Sequence, residues 1–192
     1  MLSLLNTSFT VLNKKTKPNL TDFIFSVKTD NTGSSNNNQF TIATNGTYNY
    51  TVTTLEQSFT PVTGNQTLTW AVPGTYDVTI SGTFPRMYYN GTGDIGKILE
   101  IKNNGFYPEA GVYQYKSFWL GVNITSMGND MTNWNLLTFG FWTFSGTNMS
   151  SLPSKLTLDS LEEGDWFFGN NSNLTSLPSG MNLDSLQEAW NM

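Results

Sequence analysis

Two groups of acidic residues in the last quarter of the chain carry the side chains best suited to chemistry. Glu162 and Glu163 stand side by side in the segment 162–165, and paired carboxylates can cleave a glycosidic bond as acid and base. Asp159 and Asp184 each lie in the phrase Leu-Asp-Ser-Leu, and carboxylate oxygens are ligands that Ca²⁺ accepts. However, the counterpart of the first group at 187–190 keeps one acid, and each Leu-Asp-Ser-Leu supplies one carboxylate. We therefore predict solvated bends, with no catalytic residue and no metal site.

A glycine motif and the absence of Cys and His limit the kinds of site that the chain can form. Residues 91–96 read Gly-Thr-Gly-Asp-Ile-Gly, which matches Gly-x-Gly-x-x-Gly. A dinucleotide site needs this motif between a strand and a helix, so we predict a turn instead. The chain contains no Cys and no His, which excludes disulfide bonds, Cys or His metal sites and a catalytic Cys or His. We predict a protein that is not an enzyme and binds no cofactor.

The acidic residues belong to a repeat with a period of 25 residues. The sequence SLPSKLTLDSL at 151–161 returns as SLPSGMNLDSL at 176–186. The same register aligns Asn123, Asn148 and Asn173, each followed by an apolar residue, Ser or Thr, Ser and a second apolar residue. Fixed self-similarity at such a period is typical of a solenoid, in which stacked coils share one core. We predict that the three asparagines are buried and form a ladder bonded to the backbone of neighbouring coils.

The leucine pattern divides each coil into an inner and an outer face. Apolar residues at matching positions, such as Leu158 and Leu183, are predicted to face inward. Their polar neighbours then face outward and form a candidate binding surface, which comprises Ser126, Ser151, Ser176, Asp159, Ser160, Asp184 and Ser185. We expect substitutions of these outward residues to weaken partner binding and to leave the fold intact.

The repeat resembles a known family. The pattern Leu-x-x-Leu after an Asn, as in NLTSLP at 173–178, resembles a leucine-rich repeat. The aromatic segments WTFSGTN at 142–148 and WFFGNNSN at 166–173 resemble those of BspA-like bacterial surface proteins. The resemblance covers roughly residues 115–192, although 128–137 lacks the SLPS phrase and Met127 stands in place of Leu. It implies a short leucine-rich-repeat solenoid with a binding role.

Residues 20–85 show the alternation of apolar and polar residues that predicts β-strands. Five strands are predicted, at 23–29, 39–44, 47–54, 66–72 and 75–84. Short strands at this spacing favour an antiparallel sandwich. The phrase VPGTYDVTISGTF at 72–84 is similar to the last strands of PKD-like domains. That resemblance implies an immunoglobulin-type sandwich that acts as a spacer or binding module.

The predicted organisation is therefore mainly β. An N-terminal arm at 1–19 precedes a PKD-like, immunoglobulin-like β-sandwich at 20–85, and residues 86–192 form a capping coil followed by the leucine-rich-repeat solenoid. Within the capping coil, KILEI at 97–101 predicts a strand that ends in a turn at 103–105. We expect the solenoid edge at 190–192 to pack against another copy or another protein.

The tryptophans of the repeat region leave two interpretations open. Trp119, Trp142, Trp166 and Trp190 recur at intervals of 23 or 24 residues. In the first interpretation their rings fill the core of each coil. In the second they form an exposed aromatic row that stacks on sugars or packs against a partner.

Composition and charge exclude several partners. The 192-residue chain has only 12% charged residues and a net charge of −5, so it lacks the basic footprint of a nucleic-acid-binding protein. No stretch is long and apolar enough to insert into a membrane as a helix. The N-terminus does not follow the layout of a signal peptide, in which charge precedes an apolar run and small residues.

Two functions remain. The first is a non-enzymatic virion structural protein of a tailed phage, namely a capsid decoration, fibre or tail component at the virion surface that contacts other virion proteins or copies of itself. The alternative is a BspA-like adhesin on the bacterial cell surface that binds host protein or glycan. PKD-like domains ahead of BspA-like repeats resemble pairings in both settings. The charge-poor, Cys-free composition and the missing signal layout favour the virion.

Overall fold

The computed structural model describes residues 22–44, 48–84, 87–89, 92–104, 123–130 and 145–190. These residues form β-strands, one short 3-10 helix and no α-helix, so the prediction of a mainly β chain is confirmed. The elements in chain order are β1 Phe23–Lys28, β2 Gln39–Ile42, β3 Asn49–Thr53, β4 Ser58–Val62, β5 Gln66–Thr69, β6 Thr75–Thr83, the 3-10 helix Ile95–Lys97, β7 Ile98–Asn104 and β8 Ser126–Asp130.

The strands form two sheets. The larger sheet is six-stranded, in the order β4-β3-β6-β1-β7-β8, and the smaller pairs β2 with β5. All neighbours are antiparallel except β7 and β8, which are parallel. In central strand β1, Phe25 lies opposite Val78 of β6 and Ile101 of β7. Because the consecutive residues Phe25, Ser26 and Val27 are all buried, β1 is covered on both faces of the sheet.

The two sheets pack against each other through aromatic and aliphatic side chains. The ring centroids of Phe25 in β1 and Phe40 in β2 are 5.7 Å apart, and Leu68 of β5 is fully buried beside them. The same cluster of buried side chains continues through Met149 to Phe167. One core therefore joins the sheets to the C-terminal repeat region.

All five strands predicted between residues 20 and 85 are present, as β1, β2, β3, β5 and β6. β4 was not predicted because this segment contains Pro61, and proline has no N–H to donate to a strand ladder. In the structure β4 is an edge strand. At an edge the missing donor is tolerated, so the strand forms despite its proline.

The larger sheet continues past the predicted end of the sandwich. The strand predicted at 97–101 is confirmed as β7. The turn predicted at 103–105 is wrong for Asn103 and Asn104, because both pair with β1, opposite Ile24 and Phe23. Ladder pairing with β1 overrides the local turn preference of the two asparagines.

β8 then joins β7 in parallel and carries the sheet into the first repeat, where Ser126 lies opposite Glu100. Strands from both sides of residue 85 thus share one sheet. The predicted bounds at 1–19, 20–85 and 86–192 stay predictions, and the arm at 1–19 lies outside the described residues.

The C-terminal region 145–190 is built differently from the sheets. It runs through turns and bends, with an isolated parallel bridge between Glu163 and Glu188 and no strand. Successive segments share only scattered backbone hydrogen bonds, which are too few to register as strands. Among the described residues, therefore, the regular strands of the predicted leucine-rich-repeat solenoid are not seen.

A buried ion pair fixes the loop between β1 and β2. The side chains of Lys97 and Asp94 are 1% and 0% exposed, and Lys97 Nζ lies 4.0 Å from Asp94 Oδ1. The Asp94 carboxylate accepts hydrogen bonds from the backbone N–H groups of Ser34 and Ser35, both at 2.9 Å, and of Thr41 at 2.6 Å. These bonds satisfy a charge that burial alone would penalise heavily.

The Lys97 ammonium is enclosed by oxygen atoms of the same loop. It donates to the hydroxyl of Ser35 at 2.8 Å and to the carbonyls of Ser35, Asn36 and Gln39 at 3.0, 2.8 and 3.0 Å. Burial lowers the pKa of Lys97, and the Asp94 carboxylate opposes that shift. A Cβ atom at Gly33 would lie 2.6 Å from both Asp94 Oδ1 and Lys97 Cε, so the loop needs a glycine there.

Candidate binding surface

Backbone hydrogen bonds connect residues of the repeat region that lie 23 to 26 positions apart. Each such bond runs from a backbone N–H to a carbonyl of the segment one period away. The pairs are Thr125 with Leu99 at 3.0 Å, Asn148 with Ile124 at 2.9 Å, Gly146 with Gly169 at 2.9 Å, Gly164 with Glu188 at 2.9 Å, Trp166 with Trp190 at 2.8 Å and Gln187 with Glu162 at 2.8 Å. Equivalent positions of successive repeats therefore lie side by side.

The three repeated asparagines take part in these contacts. The Asn173 side-chain amide donates to the Asn148 side-chain oxygen, and the Asn123 amide donates to the carbonyl of Gly96. The expectation that all three are buried is wrong, because Asn148 and Asn173 are exposed and Asn123 is half-buried. A side chain that bonds its neighbour one repeat away can do so at the surface, where water satisfies its remaining groups.

Burial of the repeated apolar residues differs between the last two repeats. Leu156, Leu158 and Leu161 are fully buried. The matching residues one period later are only half-buried, and they are Met181, Leu183 and Leu186. Leu177 is 44% exposed. The apolar pattern thus marks packing positions in both repeats, and the depth of packing falls toward the last one.

The predicted outward residues divide into two groups. Ser151, Ser176, Asp159 and Asp184 are exposed. The half-buried ones are Ser126, Ser160 and Ser185. Ser185 donates its hydroxyl to the backbone carbonyl of Asp159 at 2.6 Å, so it links two repeats.

Two neighbouring depressions lie on this part of the surface. The first, here called the serine cleft, has a volume of about 160 Å³ and is lined by Ser151, Leu152, Ser154, Ser176, Leu177, Pro178 and Ser179. The second, here called the aromatic groove, has a volume of about 800 Å³ and is lined by Trp166, Phe168–Ser172 and Leu174–Leu177. Ser176 and Leu177 line both depressions. The structure thus brings predicted residues Ser151 and Ser176 together on one surface.

Of the residues that line the aromatic groove, only Ser176 was among the predicted binding residues. The sequence signal for the others was the aromatic segment 166–173, which was interpreted as part of the repeat. The structure answers the open question about the tryptophans for this segment: Trp166 is half-buried and lines the groove, while Phe167 is fully buried. Adjacent aromatic residues therefore divide between groove and core.

Backbone strain is concentrated in the aromatic groove. Among the described residues, the non-glycine residues with positive φ are Trp166, at 55°, and Asn170, at 61°. Both line the groove. A bulky residue in the left-handed region costs free energy and persists only where the surroundings hold it.

Several bonds hold the strained segment in place. Gly169 N–H donates to the Trp166 carbonyl at 3.1 Å, and the Asn171 amide donates to the Phe168 carbonyl at 2.9 Å. Asn171 is itself buried and accepts a hydrogen bond from the Thr147 hydroxyl of the preceding repeat at 2.6 Å. The rings of Phe167 and Phe168 meet edge to face at 4.6 Å. The groove is therefore rigidly attached to the repeat before it.

Residues of the acidic segment 162–165 are engaged in contacts with the next repeat. The Asp165 carboxylate accepts a hydrogen bond from the Trp190 N–H at 2.8 Å, and Glu163 bridges to Glu188 through the backbone. Across the described ranges, no three acidic side chains come close enough to hold a metal ion. The predictions that the chain is no enzyme and binds no metal stay predictions.

The glycine motif and the expectation of no membrane-spanning helix can be compared with the described residues. The glycine motif at 91–96 begins outside the described residues, and its later part leads into the 3-10 helix, with Asp94 serving the buried ion pair. None of the elements described here is a helix with the length and apolar character needed to cross a membrane.

The described residues that line the groove and the cleft are thus uncharged and lie on a set of hydrogen-bonded repeats. In comparisons with protein-family models, with curated proteins and with solved structures, none matches this chain.

Proposed function

We propose that residues 123–130 and 145–190 belong to a short stack of coils of leucine-rich-repeat type, carried by an immunoglobulin-like β-sandwich of PKD-like type. The stack is supported by the hydrogen bonds between residues about one period apart, such as Trp166 to Trp190, because coils that contact only their neighbours need such bonds once per turn. The sandwich is supported by the packing of Phe25 on Phe40 between two sheets.

On this architecture we propose a non-enzymatic virion structural protein of a tailed phage, as a capsid decoration, fibre or tail component at the virion surface. The observation that carries the proposal is the surface where the serine cleft and the aromatic groove meet at Ser176 and Leu177. An exposed leucine between uncharged polar groups suits contact with another protein or a glycan. The mechanism is display and adhesion without turnover: the sheets hold the coils, and the coils present the surface.

A second candidate is a BspA-like adhesin of the bacterial cell surface that binds host protein or glycan. It is favoured by the aromatic groove, since the segment that lines the groove, 166–177, overlaps the residues that resemble BspA-like repeats. Both candidates use the same surface. They differ in the particle that carries it.

Location separates the two candidates. Particles purified on a density gradient and the cell-wall fraction of the same culture are analysed by mass spectrometry. The virion function predicts peptides of this chain in the particles, together with capsid and tail proteins. The adhesin function predicts them in the wall fraction. Peptides in neither fraction would refute both candidates.

A surface variant tests whether the serine cleft makes the contact. Arginine at both Ser151 and Ser176 fills the cleft with bulk and charge, so we expect incorporation into particles, or binding to cells, to fall at least about tenfold. Ser58→Arg, an exposed change on β4, is the matched control and is expected to behave as wild type. Equal incorporation of all three proteins would show that the cleft makes no contact.

A further inference from the structure

The lining of the aromatic groove combines aromatic rings with uncharged polar groups. Trp166 and Phe168 supply aromatic rings, while Asn170, Ser172 and Thr175 supply amide and hydroxyl groups. None of its described lining residues carries a charge. The lining therefore suits a neutral ligand with both apolar faces and many hydrogen-bonding groups.

We propose that the aromatic groove binds a neutral oligosaccharide, with a sugar ring stacked on the Trp166 indole and its hydroxyls bonded to the Asn170 amide. This inference rests on the proposed function, because it names the ligand class of the surface that the coils display. It makes Trp166 and Asn170 the principal binding residues. Ser176, at the border with the serine cleft, lies within reach of a longer glycan.

The chemistry of a sugar matches the lining group by group. A pyranose has a face of C–H groups, which packs on an indole, and a rim of hydroxyls that both donate and accept hydrogen bonds. The Asn170 amide is exposed and can donate and accept in the same way. A charged ligand would find no partner for its charge among the described lining residues. A fully apolar ligand would bury the amide and hydroxyl groups without partners.

The size of the groove agrees with this ligand. Its volume of about 800 Å³ lies within the range of roughly 300–1,000 Å³ that is usual for small-ligand sites. The groove is also preformed, because Asn171 and Thr147 fix the segment that carries the rings. A preformed site loses less entropy on binding than a mobile one. The left-handed backbone of Trp166 and Asn170 is strain of the kind that functional sites retain.

A peptide strand is a poorer fit to the same groove. Peptides that add to an exposed backbone edge need free N–H and carbonyl groups along it. Here the Trp166 N–H is bonded to the Trp190 carbonyl, and the Gly169 N–H to the Trp166 carbonyl. The N–H groups of Trp166 and Gly169 are thus already bonded within the protein, which leaves this part of the groove a poor edge for strand addition.

The test uses the full chain on an array of neutral, sialylated and sulfated oligosaccharides, followed by calorimetric titration with the neutral oligosaccharide that binds best. We expect binding to neutral glycans and none that depends on sialic acid or sulfate. Trp166→Ala should weaken the affinity at least about tenfold. Trp190→Ala is the matched control, since Trp190 is 67% exposed and does not line the groove, and it should bind as wild type.

Asn170→Gly keeps the test decisive if Trp166→Ala fails to fold. Glycine adopts a φ of 61° without strain, so this variant should keep its thermal midpoint while its affinity falls at least about threefold, because a hydrogen-bonding side chain is lost. Binding that is unchanged in Asn170→Gly and Trp166→Ala would overturn the inference. So would an array with no neutral glycan bound, or a groove that binds only peptides.

The two proposals fail separately. If the chain is found in virions or cell walls and its groove binds no neutral glycan, the display function stands and the ligand class is wrong. If the groove binds neutral glycans and the chain is in neither fraction, the ligand class stands and the proposed location is wrong.

Discussion

The sheet region and the repeat region of this chain are stabilised in different ways. In the sheets, residues far apart in sequence meet in continuous ladders, such as the pairing of β1 with β6 and β7, and Phe25, Val27 and Phe40 are fully buried. In residues 145–190, the backbone hydrogen bonds either close local turns or join residues about one period apart. Between the last two repeats, matching apolar side chains pass from fully buried, as at Leu158, to half-buried, as at Leu183.

This difference shows where tolerance to change is expected. A closed core with a buried ion pair fails as a unit, because each group depends on many partners. Neighbour-to-neighbour contacts fail locally and leave surface groups available for binding. The region with the shallower packing is also the one that carries both depressions.

Replacing the buried ammonium should be the most damaging change. Lys97→Met leaves the Asp94 carboxylate without its counter-ion and the oxygens around Nζ without a donor, so we expect a loss of about 3–5 kcal/mol in the free energy of unfolding. Lys102→Met is the matched control, because Lys102 pairs with Asp77 at 2.7 Å with both side chains well exposed, and exposed pairs contribute about 0–1 kcal/mol. Denaturant unfolding measures both. Equal losses would contradict the contrast between buried and exposed pairs.

Alanine substitutions at equivalent leucines of the last two repeats should lower the free energy of unfolding by different amounts. Leu158 is fully buried, so Leu158→Ala should lower the free energy of unfolding by about 2–5 kcal/mol. Its counterpart Leu183 is half-buried, and Leu183→Ala should cost less than about 2 kcal/mol. Thermal unfolding of the two variants compares the repeats directly. A larger cost for Leu183 would reverse the gradient of packing described above.

Glycine positions allow a finer comparison within the sheet region. Gly33→Ala places a Cβ atom 2.6 Å from Asp94 Oδ1 and Lys97 Cε, and crowding of this kind costs about 1–3 kcal/mol. At Gly64 a Cβ atom meets nothing within 4 Å, so Gly64→Ala should change stability by no more than about 0.5 kcal/mol. Calorimetry of both variants tests the pair. A Gly33→Ala protein as stable as wild type would mean that the loop moves freely around the ion pair.

Alkaline pH should weaken the sheet region through its buried tyrosines. Burial raises the pKa of Tyr50 from 10.0 to about 12. The unfolded chain therefore releases this proton first, and the free energy of unfolding should fall by about 1.4 kcal/mol per pH unit between pH 10 and about 12. Burial raises the pKa of Tyr89 as well, and more strongly, so its effect has the same direction. Well below pH 10.0, the ordinary pKa of tyrosine, both side chains stay protonated in the folded and unfolded states. There they add no pH dependence to the free energy of unfolding.

The measurement is a denaturant unfolding series above pH 10.5, where Lys97 no longer acts in the opposite direction. Because the pKa of Lys97 is lowered from 10.5, that residue makes stability rise with pH only up to its ordinary value. Tyr50→Phe should flatten the decline. An identical decline in wild type and variant would show that Tyr50 ionises alike in both states.

The strands were predictable where the alternation of side chains is regular. β3 and β6 have that alternation, and each is present close to its predicted position. β4 was missed because Pro61 speaks against a strand unless its place at an edge is known. The strand end at Asn103 and Asn104 was misplaced because pairing with β1 is not visible in the local sequence. Edge position and ladder partner are both properties of the assembled sheet.

The position of the candidate surface could be predicted from the sequence, but the burial of the leucines beneath it could not. The period of 25 residues located Ser151 and Ser176, which the structure places on one cleft. It gave no sign that Leu158 is buried while Leu183 is half-buried, since both occupy the same place in the repeat. The ion pair of Asp94 and Lys97 was missed for a related reason. The partners of these two residues lie about 60 positions earlier, beyond the range of any local pattern.

The ammonium of Lys97 gives the β1–β2 loop a cation that cannot dissociate. Oxygen atoms arranged around a positive centre often depend on a dissolved ion, and such loops lose their shape when that ion is diluted or chelated. Here the positive centre is the ammonium of Lys97, a residue of the chain itself that directly precedes β7. The loop therefore does not depend on a dissolved cation for its shape.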